Sequence, residues 1–179
     1  MFIRLSGVTL AAAIGLTACG GAASTSSTPT PTPAPTPYVA TDSGFSAVFP
    51  AKPARSTQNI NQTGLATSMT LYQATTNTEQ VAVGYEPLPI APSGAAIQTG
   101  LDGGVAGSAK NTNGTVVSKS QTQFLGQPAE DAVIQAQGVI VDERIVFIGA
   151  KLYVLEGITG SLDAKHPAYD ELLATFKTI

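Results

Sequence analysis

The stretch AEDAVIQAQGVIVDERIVFIGAKLYVLEGI, residues 129–158, decides the fold. It breaks into apolar runs of strand length that are rich in β-branched and aromatic residues. The short connection Gly149-Ala150-Lys151 between the last two runs is typical of a β-hairpin. Together with the run that precedes the stretch, the predicted strands cover residues 115–124, 129–137, 139–148 and 152–158. Antiparallel pairing is therefore expected throughout this half of the chain.

Earlier segments add more strands. Apolar residues alternate over 45–49, ahead of Pro50, which predicts a short first strand. The alternating runs 65–71 and 81–85 flank a polar segment and predict a hairpin. The sequence Pro-Leu-Pro at 87–89 ends that hairpin, because proline cannot donate a hydrogen bond to a neighbouring strand.

A glycine-rich segment between these groups of strands has helical spacing. Ile97, Leu101 and Val105 recur every four residues, and Ser93 is the predicted N-cap. Small residues lie beside this apolar stripe at the same spacing, namely Gly100, Gly104 and Ser108. This pattern predicts a helix packed unusually close to a sheet; the alternative is a partly irregular loop, since glycine disfavours helices.

The carboxyl terminus returns to a helical pattern. Pro167 lies near its start, and Tyr169, Leu172, Leu173 and Phe176 share one face. The order strands, helix, strands, helix predicts the α+β class, with a largely antiparallel β-sheet covered by two main helices.

Several segments carry a resemblance to a known family. They are GFSAVFPAKP at 44–53, the central helix, the Gly126-Gln127-Pro128 turn, the strand beginning Lys151-Leu152-Tyr153, and the ending LLATFKTI. These resemble bacterial envelope domains of the PsbP-like fold, which includes DcrB-type and LpqN-type lipoproteins. The resemblance covers most of residues 40–179 and implies an accessory or protein-binding module. It supplies no catalytic motif.

Composition narrows the classes of function. The 179 residues include 9 Lys and Arg against 12 Asp and Glu, for a net charge of −3, so a nucleic-acid partner is not expected. A single Cys excludes an internal disulfide framework and a Cys-rich zinc site. A single His leaves few ways to build a His-based metal or catalytic site. We expect no cofactor.

The amino terminus resembles a secretory leader. Arg4 provides the positive charge, and residues 5–18 contain no charged side chain. This apolar stretch is shorter than the ~20 residues that a membrane-spanning helix needs. Residues 1–18 are therefore predicted to be a signal peptide.

The end of the leader resembles the lipobox of bacterial lipoproteins. Leu16, Thr17 and Ala18 would form the signal-peptidase recognition sequence, and Cys19 would follow the cleaved bond. The resemblance implies a diacylglyceryl group on the Cys19 sulfur, and the alternative is an unmodified cysteine in an ordinary leader. A lipid anchor predicts localisation in the cell envelope, outside the cytoplasm. This means the outer membrane in a diderm host, or the outer face of the plasma membrane in a monoderm.

A linker is predicted at residues 19–37. Beyond the cysteine it contains only Gly, Ala, Ser, Thr and Pro, a composition that cannot form a core and favours disorder. Proline at every second position from 29 to 37 favours extended polyproline II geometry. Residues 38–179 are the predicted globular domain.

Few residues point to chemistry. The sequence contains no G-x-S-x-G, H-E-x-x-H or EF-hand motif. His166 is expected at a helix cap or in solvent. The adjacent acidic pairs 130–131, 142–143 and 170–171 are expected on solvated faces, and strand geometry turns the members of the first two pairs to opposite sides.

These observations favour a membrane-anchored envelope lipoprotein whose globular module binds an envelope protein or supports a complex. The alternative is a lipoprotein that binds a small ligand or lipid in a cleft between the sheet and the glycine-rich helix. Enzymatic activity is the least favoured interpretation.

Overall fold

Antiparallel strands dominate the protein, whose structure is a computed structural model that describes residues 35–62, 65–162 and 164–179. These residues belong to one compact unit, Ala34–Ile179. The strands are β1 (Tyr38–Ala40), β2 (Phe45–Ala47), β3 (Ala54–Gln62), β4 (Leu65–Thr75), β5 (Gln80–Pro87), β6 (Thr115–Phe124), β7 (Gln127–Ala136), β8 (Val139–Phe147), β9 (Lys151–Thr159) and β10 (Lys177–Thr178). The helices are α1 (Ala95–Asn111) and α2 (Pro167–Thr175).

The main sheet has seven antiparallel strands in the order β3-β4-β5-β9-β8-β7-β6. Its hairpins confirm the predicted strands, including the β4–β5 pair and the tight connection between β8 and β9. Strand β3 was not predicted. Its sequence, ARSTQNINQ, is almost wholly polar, so it lacks the apolar alternation that signals a strand. Among the described strands it pairs only with β4 and forms one edge of the sheet, whereas β6 forms the other.

A smaller sheet joins the start and the end of the globular region. Its strand order is β1-β2-β10, with β2 in the centre. The backbone N–H of Ile179 donates to the Gly44 carbonyl and extends this contact. The last residues of the chain are thereby held against the first hairpin.

The two helices cover opposite faces of the main sheet. Ile145 on β8 packs with Leu101 and Val105 of α1. The next residue, Val146, packs in the cluster that contains Leu172 of α2. Because successive strand side chains point to opposite faces, α1 and α2 lie on different sides. This arrangement confirms the predicted α+β class with a sheet covered by two helices.

Aromatic rings form the core on the α2 side. Phe45 lies at its centre, with ring centroids 5.1 Å from Tyr72 and 5.4 Å from Phe176. The Tyr153 ring packs on the same group, and its hydroxyl donates to the Ser43 carbonyl at 2.8 Å. Burying a tyrosine in a core requires such a partner for its hydroxyl.

Helix α1 is regular, so the alternative of a partly irregular loop is wrong. The predicted N-cap, Ser93, is also wrong: Gly94 occupies that position with φ +56°, a conformation that glycine adopts easily. The predicted close approach to the sheet is confirmed. A Cβ on Gly100 would lie 2.7 Å from the Phe147 ring, and one on Gly104 would lie 2.7 Å from Ile145 Cδ1.

No helix within the described ranges is both long enough and apolar enough to cross a bilayer.

Candidate functional site

The strand β6 is an open edge of the main sheet. Over the described residues its ladder partner is β7, and most of its residues are exposed. Two adjacent valines stand out, because Val116 is 37% and Val117 is 50% exposed. Val139, also 37% exposed, begins β8 at the same end of the sheet. The edge therefore combines exposed valine side chains with a strand side that has no second ladder partner among the described residues.

Two features interrupt this edge. The β6–β7 register shifts between Val116 and Ser118, which marks a β-bulge at Val117. Lys119, the one charged residue in the β6 sequence, forms ion pairs with Asp102 on α1 and Glu130 on β7. Bulges and lysines discourage indiscriminate edge-to-edge pairing. The edge is open to a partner but is poorly suited to stacking on a second copy of itself.

A polar groove adjoins β6 on the α2 side of the sheet. Its volume is about 210 Å³. Strands β6, β7 and β8 form the floor, and α2 forms a wall. The lining side chains include Ser118, Ser120, Asp131, Asp142, Arg144, Tyr169 and Leu173. The serines belong to the edge strand itself, so the groove and the edge form one continuous surface.

An ion pair organises the floor of the groove. Arg144 lies directly opposite Asp131 in the β7–β8 register. Its Nε and Nη2 donate to the two Asp131 oxygens at 2.6 and 2.8 Å, a bidentate geometry. The guanidinium also lies 5.1 Å from the centroid of the Phe124 ring. The hydrogen bond with Asp131 raises the pKa of Arg144 above its usual value. Arg144 is thus already paired, and Asp142 is the other acidic side chain that lines the α2 side of the groove.

The sole histidine lies beside Asp142. His166 Nε2 is 3.0 Å from Asp142 Oδ2 and 3.4 Å from the Thr159 hydroxyl, and its side chain is 13% exposed. Burial raises the pKa of Asp142, whereas His166 acts to lower it. His166 is the N-cap residue of α2, as expected, but it is half-buried and not solvated.

The first turn of α2 is capped by a residue distant in sequence. The His166 side chain makes no capping hydrogen bond. Instead, Glu79 accepts hydrogen bonds from the backbone N–H groups of Ala168 and Tyr169, both at 3.0 Å. A carboxylate at a helix N-terminus also interacts favourably with the helix dipole. The contacts in the His166 region therefore anchor the start of α2 to the end of the β4–β5 hairpin.

Two of the acidic residues predicted to be solvated are buried. Glu130 and Glu143 are each 1% exposed on the α1 side of the sheet. Their sequence neighbours Asp131 and Asp142 face the α2 side, as the strand alternation predicted. The expectation of solvated faces was wrong for Glu130 and Glu143, because α1 covers the strands that carry them.

The groove does not lie between the sheet and the glycine-rich helix, where a cleft was expected. The glycines bring α1 into direct contact with Phe147 and Ile145, and the groove lies on the opposite face. The groove residues were missed because several are not neighbours in sequence. One signal was present: a two-residue turn at Gln137-Gly138 places Asp131 opposite Arg144.

The sequence-predicted lipidation site, Leu16, Thr17, Ala18 and Cys19, lies outside the described residues. The described part contains no group of three or more His, Cys, Asp or Glu side chains that could hold a metal ion. Neither the protein-family models nor the curated proteins compared with this chain match it.

Proposed function

We propose that this protein is a membrane-anchored lipoprotein of the bacterial cell envelope whose globular module binds another protein. The observation that supports this proposal most strongly is the open edge of β6. Val116 and Val117 are exposed on this strand, and Ser118 and Ser120 of the same strand line the polar groove. An extended segment can add to such an edge through main-chain hydrogen bonds, while alternate side chains give specificity.

The groove favours a protein segment over a small ligand. Its volume of about 210 Å³ is below the roughly 300–1,000 Å³ typical of small-molecule sites. It is large enough for one side chain that projects from a strand docked on β6. Asp142 contacts His166 through one carboxyl oxygen, and its carboxyl group in the groove favours a hydrogen-bond-donating side chain at that point.

Membrane attachment is the second part of the proposal. It is supported by the sequence alone: a leader at 1–18, Leu16-Thr17-Ala18 before Cys19, and a Pro-rich spacer up to residue 37. Acyl chains on Cys19 would hold the protein at the membrane, and an extended, disordered spacer would lift the module away from the lipid surface.

Membership of the PsbP-like fold remains part of this proposal. The order of strands and helices and the antiparallel sheet are consistent with it. The proposal assigns no reaction to the module, because the sequence carries no recognised catalytic motif.

A small-molecule or lipid ligand is the second candidate function. The groove is the observation that favours it, since Ser118, Ser120 and Asp142 offer polar groups beside the apolar Leu173. A small molecule that copurifies with the wild-type protein, and is lost in Ser120→Trp, would favour this candidate over protein binding.

Site-specific photo-crosslinking in cells tests the main proposal. A photoreactive residue at Val117 should yield a discrete crosslinked product. The same residue at Ile90, which is 80% exposed in the connection between β5 and α1, should not. The additional change Val116→Glu should remove the product. Equal crosslinking from both positions, or none from Val117 in the membrane-bound protein, would contradict a docking edge at β6.

A further inference from the structure

A row of small residues on α1 lies over a row of residues on β8. Gly100 contacts Phe147, and Gly104 contacts Ile145, both through positions where a Cβ would clash. Residues four apart in a helix are separated by about 6 Å, and residues two apart in a strand by about 6.6 Å. The two rows therefore stay aligned, and the next pair in the series places Ser108 above the strand position two residues before Ile145.

That next strand position is Glu143, a carboxyl group held under a helix. Glu143 is 1% exposed, and neither of its oxygens has a hydrogen-bond partner of normal geometry in the described structure. Glu156 on β9 lies directly opposite it in the register and is half-buried. Glu130 on β7 faces the same side, is also 1% exposed, and has one oxygen without a partner. We refer to Glu130, Glu143 and Glu156 as the acidic layer.

Charged groups from the surrounding elements reach only part of this layer. From β6, Lys119 lies 3.3 Å from Glu130 and also pairs with Asp102 of α1. On the α1 side of the sheet, the other charged groups of the described elements around the layer are Lys110, exposed in the last turn of α1, and Glu86, on the same face of β5. Among the described residues, a lysine therefore compensates Glu130, whereas Glu143 faces a hydroxyl group and further carboxyl groups.

A buried carboxylate without a compensating charge is unfavourable by several kcal/mol, while the neutral acid is far less so. Burial raises the pKa of Glu143 to about 8, and the nearby Glu156 and Glu130 add to this effect, partly opposed by the Ser108 hydroxyl. Burial likewise raises the pKa of Glu156 to about 7. The contacts of Gly100 and Gly104 hold α1 close against the sheet, and the helix covers Glu143 from water.

We propose that the acidic layer is a proton-dependent latch: α1 remains seated on the sheet while Glu143 and Glu156 are protonated, and it loosens when they lose their protons to solvent. The ligand of this site is the proton, since no group in the described residues could hold a metal ion there. The switch responds to the pH outside the cytoplasm if the protein is anchored as proposed, but the latch itself does not depend on that assignment.

The direction of the pH dependence follows from linkage. The folded protein holds the Glu143 proton up to a pH of about 8, whereas an exposed glutamate releases it near 4.5. The folded state thus binds more protons between these values, and the seated state loses stability as the pH rises through that window. Below pH 4.5 the protonation of Glu143 contributes fully to the stability of the seated state, and above pH 8 this contribution is absent.

Hydrogen exchange of the full-length protein tests the latch. The protection of the α1 amides, corrected for intrinsic exchange rates, is compared at about pH 6 and about pH 9, with β4 and β5 as internal references. We expect protection of α1 to fall at least about tenfold, because each unit of pKa difference changes the opening equilibrium by a factor of about ten. Glu143→Gln removes one of the two titrating carboxyl groups, so α1 in this variant should lose clearly less protection between the two pH values than in the wild type, and the remaining loss reports Glu156.

Glu171→Gln is the matched control, because Glu171 is exposed on α2 and should leave the pH response of α1 unchanged. Carbon-13 titration of the glutamate carboxyl groups in the wild type provides a second readout that needs no variant. A Glu143 carboxyl that titrates near 4.5, or α1 protection that is the same at both pH values, would overturn the latch.

Discussion

Gly104 on α1 and Ile145 on β8 are in direct contact, since a Cβ on Gly104 would lie only 2.7 Å from Ile145 Cδ1. Ile145 is fully buried, so its Cδ1 methyl would have to shift within the core to admit that Cβ. The adjacent Gly103 is different, because a Cβ there meets nothing within 4 Å. The packing of α1 against the sheet therefore requires a glycine at position 104. The glycine at position 103 has no such role and only lowers the stability of the helix.

This contrast predicts opposite effects for the same substitution. Gly103→Ala should stabilise the protein by about 0.5–1 kcal/mol, because alanine favours the helix and contacts open space. Gly104→Ala should destabilise it by roughly 1–3 kcal/mol, the usual effect of overpacking a filled core. Urea unfolding of both variants gives the two free energies. If both variants change stability in the same direction, the close contact with Ile145 does not limit the helix.

The anchoring of α2 leads to a second prediction. Glu79→Ala leaves the N–H groups of Ala168 and Tyr169 without their acceptor and should destabilise the protein by about 1–3 kcal/mol. Glu79→Gln keeps one acceptor oxygen, so its free energy of unfolding should fall by less than that of Glu79→Ala. The exposed Glu171, also mutated to Ala, is the matched control and should stay within about 0.5 kcal/mol of the wild type. Equal unfolding free energies for Glu79→Ala and Glu171→Ala would show that the capping contact contributes nothing.

Much of the sheet could be predicted because short turns determine its register. Once the turn at Gly149-Ala150 is recognised, Glu143 must lie opposite Glu156. The β7, β8 and β9 strands likewise follow from their apolar runs. The glycine spacing on α1 correctly indicated a close approach to the sheet, because no other helical pattern brings backbones so near.

The sequence did not reveal what the helices cover. The burial of Glu130 and Glu143 depends on the position of α1 across the sheet, and no local pattern contains that position. The capping of α2 by Glu79 escaped for the same reason, because the two segments are joined only by tertiary packing. Strand β3 was missed because an edge strand needs little apolar surface and shows no alternation.

The proposed lipid anchor yields the last prediction, which concerns residues at the start of the chain. Cys19→Ser removes the thiol that would carry the diacylglyceryl group, so the protein should move from the membrane fraction to the soluble fraction. Each buried methylene contributes about 0.8 kcal/mol, so losing the acyl chains removes most of the attachment free energy. Gly21→Ser, a substitution of similar size two residues away, should remain membrane-bound. Fractionation of cells that express the full chain, followed by mass measurement of the amino-terminal peptide, compares the two variants with the wild type. An unmodified Cys19 in the wild type, or equal membrane fractions for Cys19→Ser and Gly21→Ser, would contradict the anchor and leave the β6 edge to be tested on its own.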